Sequence, residues 1–405
     1  MKILGIVAEY NPFHNGHLYQ LNEARKQIQP DHCIAVMSGS FLQRGEAALF
    51  DKYTRCRMAL TGGLDAVYEL PAYFACSSAE EFAAAAIITM KHLSVTHVAF
   101  GAECGDLHLL SALAKVTVTK EAALNKLLLE QLSYGATYAC AYTRALCQCS
   151  HIPEAETVLN QPNNMLALCY LRAIFRYCPN MKPVLIQRTQ AMYHDTDIHG
   201  SIASASAIRN VLLDNPDADL SNIIPGSCVN LLPHKYLTNE DLSTFAGYAL
   251  YHAKNQDLSM IYDISNDLAN RIQKHNCLVY SYASLIQDLK TRQYTYTRIS
   301  RSILHLLLDM RQDIFSDAKK NEYIYYVRLL GFRHTSSSLI SFQKKNCMIP
   351  FIQKVSKAGI QLSDTQTALT LFQADIQAHQ LYQLAWFTKH HEPLPSDYEQ
   401  NAIIV

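Results

Sequence analysis

The side chains best placed to do chemistry in this chain are two imidazoles flanking a glycine. They lie in His14-Asn15-Gly16-His17, directly after Glu9-Tyr10-Asn11-Pro12-Phe13. The apolar run Ile3 to Val7 reads as a buried parallel strand, Asn11-Pro12 breaks it, and Leu18 to Ile28 reads as a helix. The imidazoles therefore sit at a strand-to-helix turn, where free helix N–H groups and the helix dipole favour phosphate. Two imidazoles there can donate hydrogen bonds to a triphosphate, and Gly16 lets a nucleoside lie directly on the backbone. With 17 His and 14 Gly in 405 residues, the pattern alone arises by chance in roughly 0.03 of such chains. Its place at the first strand-to-helix turn of an apparent α/β domain makes it a candidate nucleotide site rather than a pair of structural histidines.

Further candidates follow along the chain. Arg44, in the polar loop Phe41 to Glu46, is either a solvated surface charge or a phosphate clamp beside that site. Gly101, at the end of an apolar run, is an ordinary turn glycine or an opening for a ribose or base. Asn163 and Asn164 open a helix after Gln161-Pro162; one of them is a cap, or an amide that reads an adenine edge. Arg188 ends another apolar run, before a polar loop from His194-Asp195 to His199-Gly200. Ser204, Ser206 and Arg209 start a helix, where at least one serine serves as a cap, and hydroxyls with an arginine also suit departing β- and γ-phosphates. Arg292, Arg298 and Arg301 are interleaved with tyrosines in a stretch, 291 to 345, that carries ten Lys+Arg against four Asp+Glu. That mixture suits phosphate contact and base stacking, or a tyrosine-packed helix pair with a solvated arginine face.

These residues need a scaffold. Strand patterns at Ile3–Val7, Cys33–Met37, Ala66–Leu70, His97–Phe100 and Pro183–Arg188 alternate with helical ones, which predicts an α/β fold with a doubly wound parallel sheet. Ligands in such sheets bind at the carboxyl ends of the strands. Prolines and glycines between Asn210 and Pro233 mark a boundary, and strand signals fade beyond it. We therefore expect residues 1–220 to form the nucleotide domain and 221–405 a mainly α-helical domain. Apolar residues make up 49% of the chain, enough for a sizeable core. No apolar run approaches the roughly 20 residues of a membrane span, and no membrane partner is expected. The 12 cysteines form no C-x-x-C pair, and the first residues read as a core strand rather than an export signal, so reduced thiols and a cytoplasmic location are expected. A formal net charge of zero confines any polyanion surface to a local patch.

His14-Asn15-Gly16-His17 is the H-x-G-H pattern of nucleotidyltransferases and class I aminoacyl-tRNA synthetases. Taken together, the segments Glu9–His17, Met37–Glu46, Gly63–Pro71, Gly101–Asp106, Gln161–Leu166, Ile186–Asp195, Ser204–Arg209, Arg292–Arg301 and Tyr326–Phe332 resemble, in order, the bacterial tRNA(Met) cytidine acetate ligases of the nucleotidyltransferase superfamily. Relative to that pattern Ala102 stands where Ser is common, Ala167 replaces Gly, Cys169 replaces Glu and Ser206 replaces Thr. The resemblance implies that ATP and acetate form acetyl-adenylate, and that the acetyl group passes to N4 of the wobble cytidine (C34) of elongator tRNA(Met). It implies an ATP site lined by Val7, Ala8, Glu9, Tyr10, Asn11, Pro12, Phe13, His14, Asn15, Gly16, His17, Leu18, Tyr19 and Gln20, completed by Gly101, Asn163 and Arg188. The serines Ser204 and Ser206 with Arg209 match the superfamily's second phosphate signature. His14 and His17 would stabilise charge on the α-phosphate, with Mg²⁺ accompanying the triphosphate. The helical second domain would hold the tRNA through Arg292, Arg298 and Arg301.

Two other readings share part of this pattern. A small-molecule adenylyltransferase of the same superfamily has the H-x-G-H and Ser/Arg signatures but does not need a long helical, basic, tyrosine-rich extension. A non-catalytic RNA-binding protein on a decayed nucleotide fold would not need His14, Gly16, His17 and Arg209 intact.

Overall fold

The apolar N-terminal run forms β1 (Ile3–Ala8), an interior strand of an eight-stranded sheet. The computed structural model describes residues 1–188, 203–215 and 218–405, and the loop of His194, Asp195 and His199 lies outside the described residues. Strands β2 (His32–Ser38), β3 (Ala66–Leu70), β4 (His97–Ala102) and β5 (Lys182–Gln187) join β1 in the order β5-β4-β1-β2-β3, all parallel. The chain thus winds outward from β1 through β2 to β3, then crosses to the other side of β1 for β4 and β5. The loops leaving β1 and β4 part in opposite directions, and the crevice between them is where a ligand fits.

Alternate residues feed two cores. Leu4, Ile6, Cys33, Ala35 and Met37 pack with Leu21 and Ala24 of the helix Asn15–Ile28 and with the helix Lys52–Thr61. Ile3, Ile34, Val36 and Tyr68 pack on the other face against the helices Ala79–His92 and Pro162–Tyr177. Both faces of the central strands are covered, so their sequences run apolar without alternation, and each fully buried Leu or Ile contributes about 1.5–3 kcal/mol. The predicted helical stretch from Leu107 to Cys149 resolves into Leu107–Thr119, Glu121–Ser133 and Tyr138–Ser150.

Beyond residue 220 helices dominate, including Ser243–Ala253, Asn266–Lys274, Tyr282–Leu289, Tyr296–Leu307 and the 25-residue Gln366–His390. The sheet nevertheless extends into this region, where the sequence reading placed no strand. Strand β6 (Val327–Phe332) runs antiparallel beside β3, and β7 (Phe351–Ile352) and β8 (Ile403–Ile404) pair with β6. Two features hid these strands. Strands β7 and β8 are two residues long, too short for a periodic signal, and β6 carries a fully charged Arg328 at a position that is 3% exposed. That charge is tolerated because Glu69 of β3 and Asp397 lie 2.9 Å from its guanidinium. No helix among the described residues is long and apolar enough to cross a membrane, and all twelve cysteines are free thiols.

Candidate nucleotide site

At the carboxyl ends of β1, β4 and β5 the described residues line a cleft of about 210 Å³, partly open to solvent. Glu9, His14, Gly16, His17, Tyr19 and Gln20 form the wall that follows β1. Gly101, Asn163 and Arg188 come from the β4–β5 side, Ser204, Ser206 and Arg209 from the start of the helix Ala205–Asp214, and Arg44 with Glu46 from the loop after β2. Sequence candidates scattered over some 200 positions are thus brought to one crevice. Three arginines against two carboxylates give it a cationic balance suited to a polyanion.

The remaining candidates of the first stretch shape this wall from behind. Tyr10, Asn11 and Phe13 are at most 2% exposed and face inward. Ala8 and Pro12 are buried, while Val7 and Leu18 pack against the cores. Asn15 is tied by its backbone N–H to the Ile223 carbonyl and by its side chain to that of Asn222. The Asn11 Oδ1 accepts from the Leu49 N–H at 2.7 Å, and the Asn11 carbonyl accepts from Arg209 Nη1 at 3.2 Å.

The two histidines are locked in one tautomer by the helix they begin. His14 is the N-cap of Asn15–Ile28, and its Nδ1 accepts from the Gly16 N–H at 3.1 Å. Reciprocally, His17 Nδ1 accepts from the His14 backbone N–H at 3.3 Å. Each Nδ1 is therefore an acceptor, which leaves the proton on Nε2 as the one ring donor available to a ligand. The rings lie 3.8 Å apart at 31°, and Tyr10 abuts the His17 ring edge-on. Burial, then the Arg188 and Arg209 charges, push the His14 pKa down to about 3; burial, His14 and Arg188 hold His17 well below its ordinary value. The pair is neutral at physiological pH and offers two directed N–H donors.

This makes a prediction about stability. A histidine whose folded pKa is depressed binds fewer protons folded than unfolded, so its contribution is complete above pH 6.5 and is lost as pH falls toward 3. The slope is about 1.4 kcal/mol per pH unit for one such group. Between pH 6.5 and 5 the wild-type chain should therefore lose about 1.6 kcal/mol more unfolding free energy than His14→Gln. Denaturant unfolding at both pH values checks it, and parallel slopes would show that His14 titrates normally.

The other walls rest on contacts that the sequence did not announce. Arg55, fully buried, donates through Nη1 to the carbonyls of Glu9 and Ser38, through Nη2 to that of Gly39 and through Nε to that of Phe50. It fastens the carboxyl ends of β1 and β2 beside the cleft, and burial lowers its pKa. Glu9 Oε1 accepts from the Gln43 N–H at 2.9 Å, while burial raises the Glu9 pKa. The loop bearing Arg44 and Glu46 is braced from the C-terminal region. Ser300 Oγ donates to the Gly45 carbonyl at 2.8 Å, and Asn239 Oδ1 accepts from the Ala47 N–H at 2.8 Å. Gly45 has φ +75°, and a Cβ there would lie 2.4 Å from the Arg301 backbone nitrogen, so only glycine lets loop and helix meet. Ser204 caps its helix through the Ala207 N–H, and Ser206 Oγ accepts from Arg209 Nη2 at 3.2 Å.

The two asparagines differ in burial. Asn164 is 2% exposed; its Oδ1 accepts from the Cys104 N–H and its Nδ2 donates to the Val158 carbonyl. Asn163 is half-buried and lines the cleft. Outside the cleft, Arg292 is exposed, whereas Arg298 and Arg301 converge on Asp263 at 3.3 and 3.9 Å. The Arg301 side chain is only 12% exposed.

Residues 1–395 match the family described as HIGH Nucleotidyl Transferase. The chain is 35% identical over 391 residues to the tRNA(Met) cytidine acetate ligase of Thermoanaerobacter sp. (strain X514), covering 95% of this chain and 96% of that protein. It is 36% identical over 375 residues to the protein of the same name from Listeria monocytogenes serotype 4a, covering 91% and 94%. Among solved structures, Thermotoga maritima TmcAL bound with alpha-thio ATP superposes with a TM-score of 0.91 at 27% identity, covering all of both chains. The apo form of that protein superposes equally well, at 28% identity.

Proposed function

The chain belongs to the tRNA(Met) cytidine acetate ligase family and is a ligase, and from that premise we propose that it activates acetate with ATP and acetylates N4 of the wobble cytidine (C34) of elongator tRNA(Met). In the first step an acetate oxygen attacks the α-phosphorus, the bond to the bridging oxygen breaks, and pyrophosphate leaves. In the second the cytidine N4 attacks the acetyl carbonyl carbon, the bond to the AMP oxygen breaks, and the N4 proton is released.

The observation that carries the reading is the pair of neutral Nε2–H donors at a helix N-terminus, facing a cleft that also holds Arg44, Arg188 and Arg209. Charge builds on the equatorial oxygens of the α-phosphate during attack, and fixed donors stabilise it without reorganisation. Arg209 and Ser206, at the second helix start, suit the departing pyrophosphate. Among the described residues no group of three or more His, Cys, Asp or Glu is arranged to hold a metal by itself. A Mg²⁺ carried on the triphosphate would neutralise phosphate charge, and Glu9 and Glu46 are the cleft carboxylates that would hold it.

Residues 1–220 would supply the activating site and 221–405 the tRNA surface, including Arg292, Arg298 and Arg301. Arg292, exposed, carries the clearest expectation. Its replacement by Ala should make log K for tRNA less steep in log salt by up to about one unit. Acetyl-adenylate formation without tRNA should be untouched, and an unchanged salt slope would put the tRNA surface elsewhere.

The whole reading is tested by incubating the purified chain with ATP, labelled acetate and bulk tRNA, then digesting the tRNA to nucleosides. N4-acetylcytidine that requires both ATP and acetate is the expected product. Transfer of AMP to a phosphorylated small molecule, with no acetylated nucleoside, would favour the adenylyltransferase reading.

A further inference from the structure

Helix Pro162–Tyr177 starts without a side-chain cap of its own. Glu103, sixty residues earlier on the loop after β4, supplies one. Its Oε1 accepts from the Asn163 backbone N–H at 3.3 Å, and its Oε2 from that of Asn164 at 2.9 Å. The same Oε1 also accepts from the Asn163 side-chain Nδ2 at 2.6 Å. A carboxylate only accepts, so the Asn163 atom facing it must be the NH₂ group. The rotation of that amide is thereby fixed, with Oδ1 turned away from Glu103.

The two sides of the cleft differ in what they offer. The donors suited to phosphate, His14, His17 and Arg209, stand on the helices that follow β1 and open at Ala205. Asn163 stands on the β4–β5 side with Gly101, whose missing Cβ would lie 3.3 Å from Arg188 Cγ. A nucleotide with its phosphates at the first side and its sugar over Gly16 would extend its base toward Gly101 and Asn163, which line the same cleft.

We infer that Glu103 is a positioning residue for base selection: by holding the Asn163 amide it presents Oδ1 to the cleft as an acceptor, so the site takes a purine that offers an amino donor, as adenine does, over one that offers an oxo acceptor. The inference rests on the nucleotide reading above and deepens it. Two acceptors brought together in a half-buried site repel and leave both unpaired, which is why a polar site can reject the wrong partner strongly.

ATP and ITP differ at the 6-amino and 6-oxo groups and serve as probes. Nucleotide titrations of the full chain should show ATP preferred over ITP by about 100-fold or more. In Glu103→Gln the new amide can donate to Asn163 and let its side chain turn over, so that preference should fall about tenfold or more, as it should in Asn163→Ala. A role confined to capping the helix would weaken both nucleotides alike and leave the ratio unchanged. Thermal unfolding of each variant establishes that it is folded; if Glu103→Gln is not, Asn163→Ala decides. A ratio within twofold of the wild type in the folded variants overturns the inference while leaving the ATP site standing. Failure of the wild-type chain to bind ATP overturns the nucleotide reading, and this inference with it.

Discussion

His14→Ala and His17→Ala should each slow acetyl-adenylate formation by about 10²–10³-fold, a loss of roughly 2.7–4 kcal/mol of transition-state stabilisation. That scale belongs to the removal of one preorganised donor from a developing oxyanion, and each ring supplies one such donor through Nε2. The two losses should not add. The His14 and His17 rings lie 3.8 Å apart and each helps to hold the other in place, so either change disturbs the partner, and the double variant should fall little further than the worse single one. The histidines touch none of the surface assigned to tRNA, so tRNA affinity should hold. ATP–pyrophosphate exchange with acetate measures the first step alone. Near-normal exchange in both single variants would remove the histidines from the chemistry.

The second large effect concerns the buried charges that join the C-terminal region to the sheet. Lys52 Nζ lies 2.9 Å from Glu69 Oε1 and from Asp397 Oδ1, and Arg328 reaches the same two carboxylates at 2.9 Å. Tyr53 donates to Asp397 at 2.6 Å. Two cations and two anions, each at most 4% exposed, balance to zero. Burial alone would raise the Asp397 carboxyl, but Lys52 and Arg328 outweigh it and hold it well below the usual carboxylate range. Asp397→Ala leaves two buried cations sharing one anion, and we expect about 3–5 kcal/mol of destabilisation at pH 7. Because the folded pKa is depressed, the wild-type contribution is present above about pH 3.9 and fades as pH falls below it. The difference between the two proteins should therefore be complete at neutral pH and shrink in acid. Denaturant unfolding at pH 7 reads it, and a difference under about 1 kcal/mol would mean that the cluster relaxes or admits water.

The bracing of the Arg44–Glu46 loop bears on the division of labour. The helix Tyr296–Leu307, which carries Arg298 and Arg301, also presses on Gly45 and holds its carbonyl through Ser300. Arg292 is the clean probe of tRNA contact. Changing Arg301 removes a partner of Asp263 on a helix that backs the cleft, so it perturbs more than a surface.

What the chain states locally was legible. The run Ile3–Ala8, the Asn11-Pro12 break and His14-x-Gly16-His17 lie within one strand–turn–helix, so short-range periodicity and helix-end chemistry suffice to find the residues that form the cleft wall after β1. Gly101, Arg188 and the Ser206/Arg209 pair were legible for the same reason, since in a doubly wound sheet the ends of parallel strands converge whatever lies between them. What tertiary structure alone decided depends on pairing between distant segments. Arg55 and Lys52 look like the polar positions of an ordinary surface helix, and only their carbonyl and carboxylate partners make burial affordable. Arg328 argued against a strand until Glu69 and Asp397 neutralised it. Arg298 and Arg301 read as free cations until Asp263 came between them. Glu103 gave no signal at all, because its partners stand sixty residues away. A side chain's type and spacing report what it can donate, accept or bury, but whether a charge is silent, structural or available depends on which opposite group the fold carries to within about 3 Å of it.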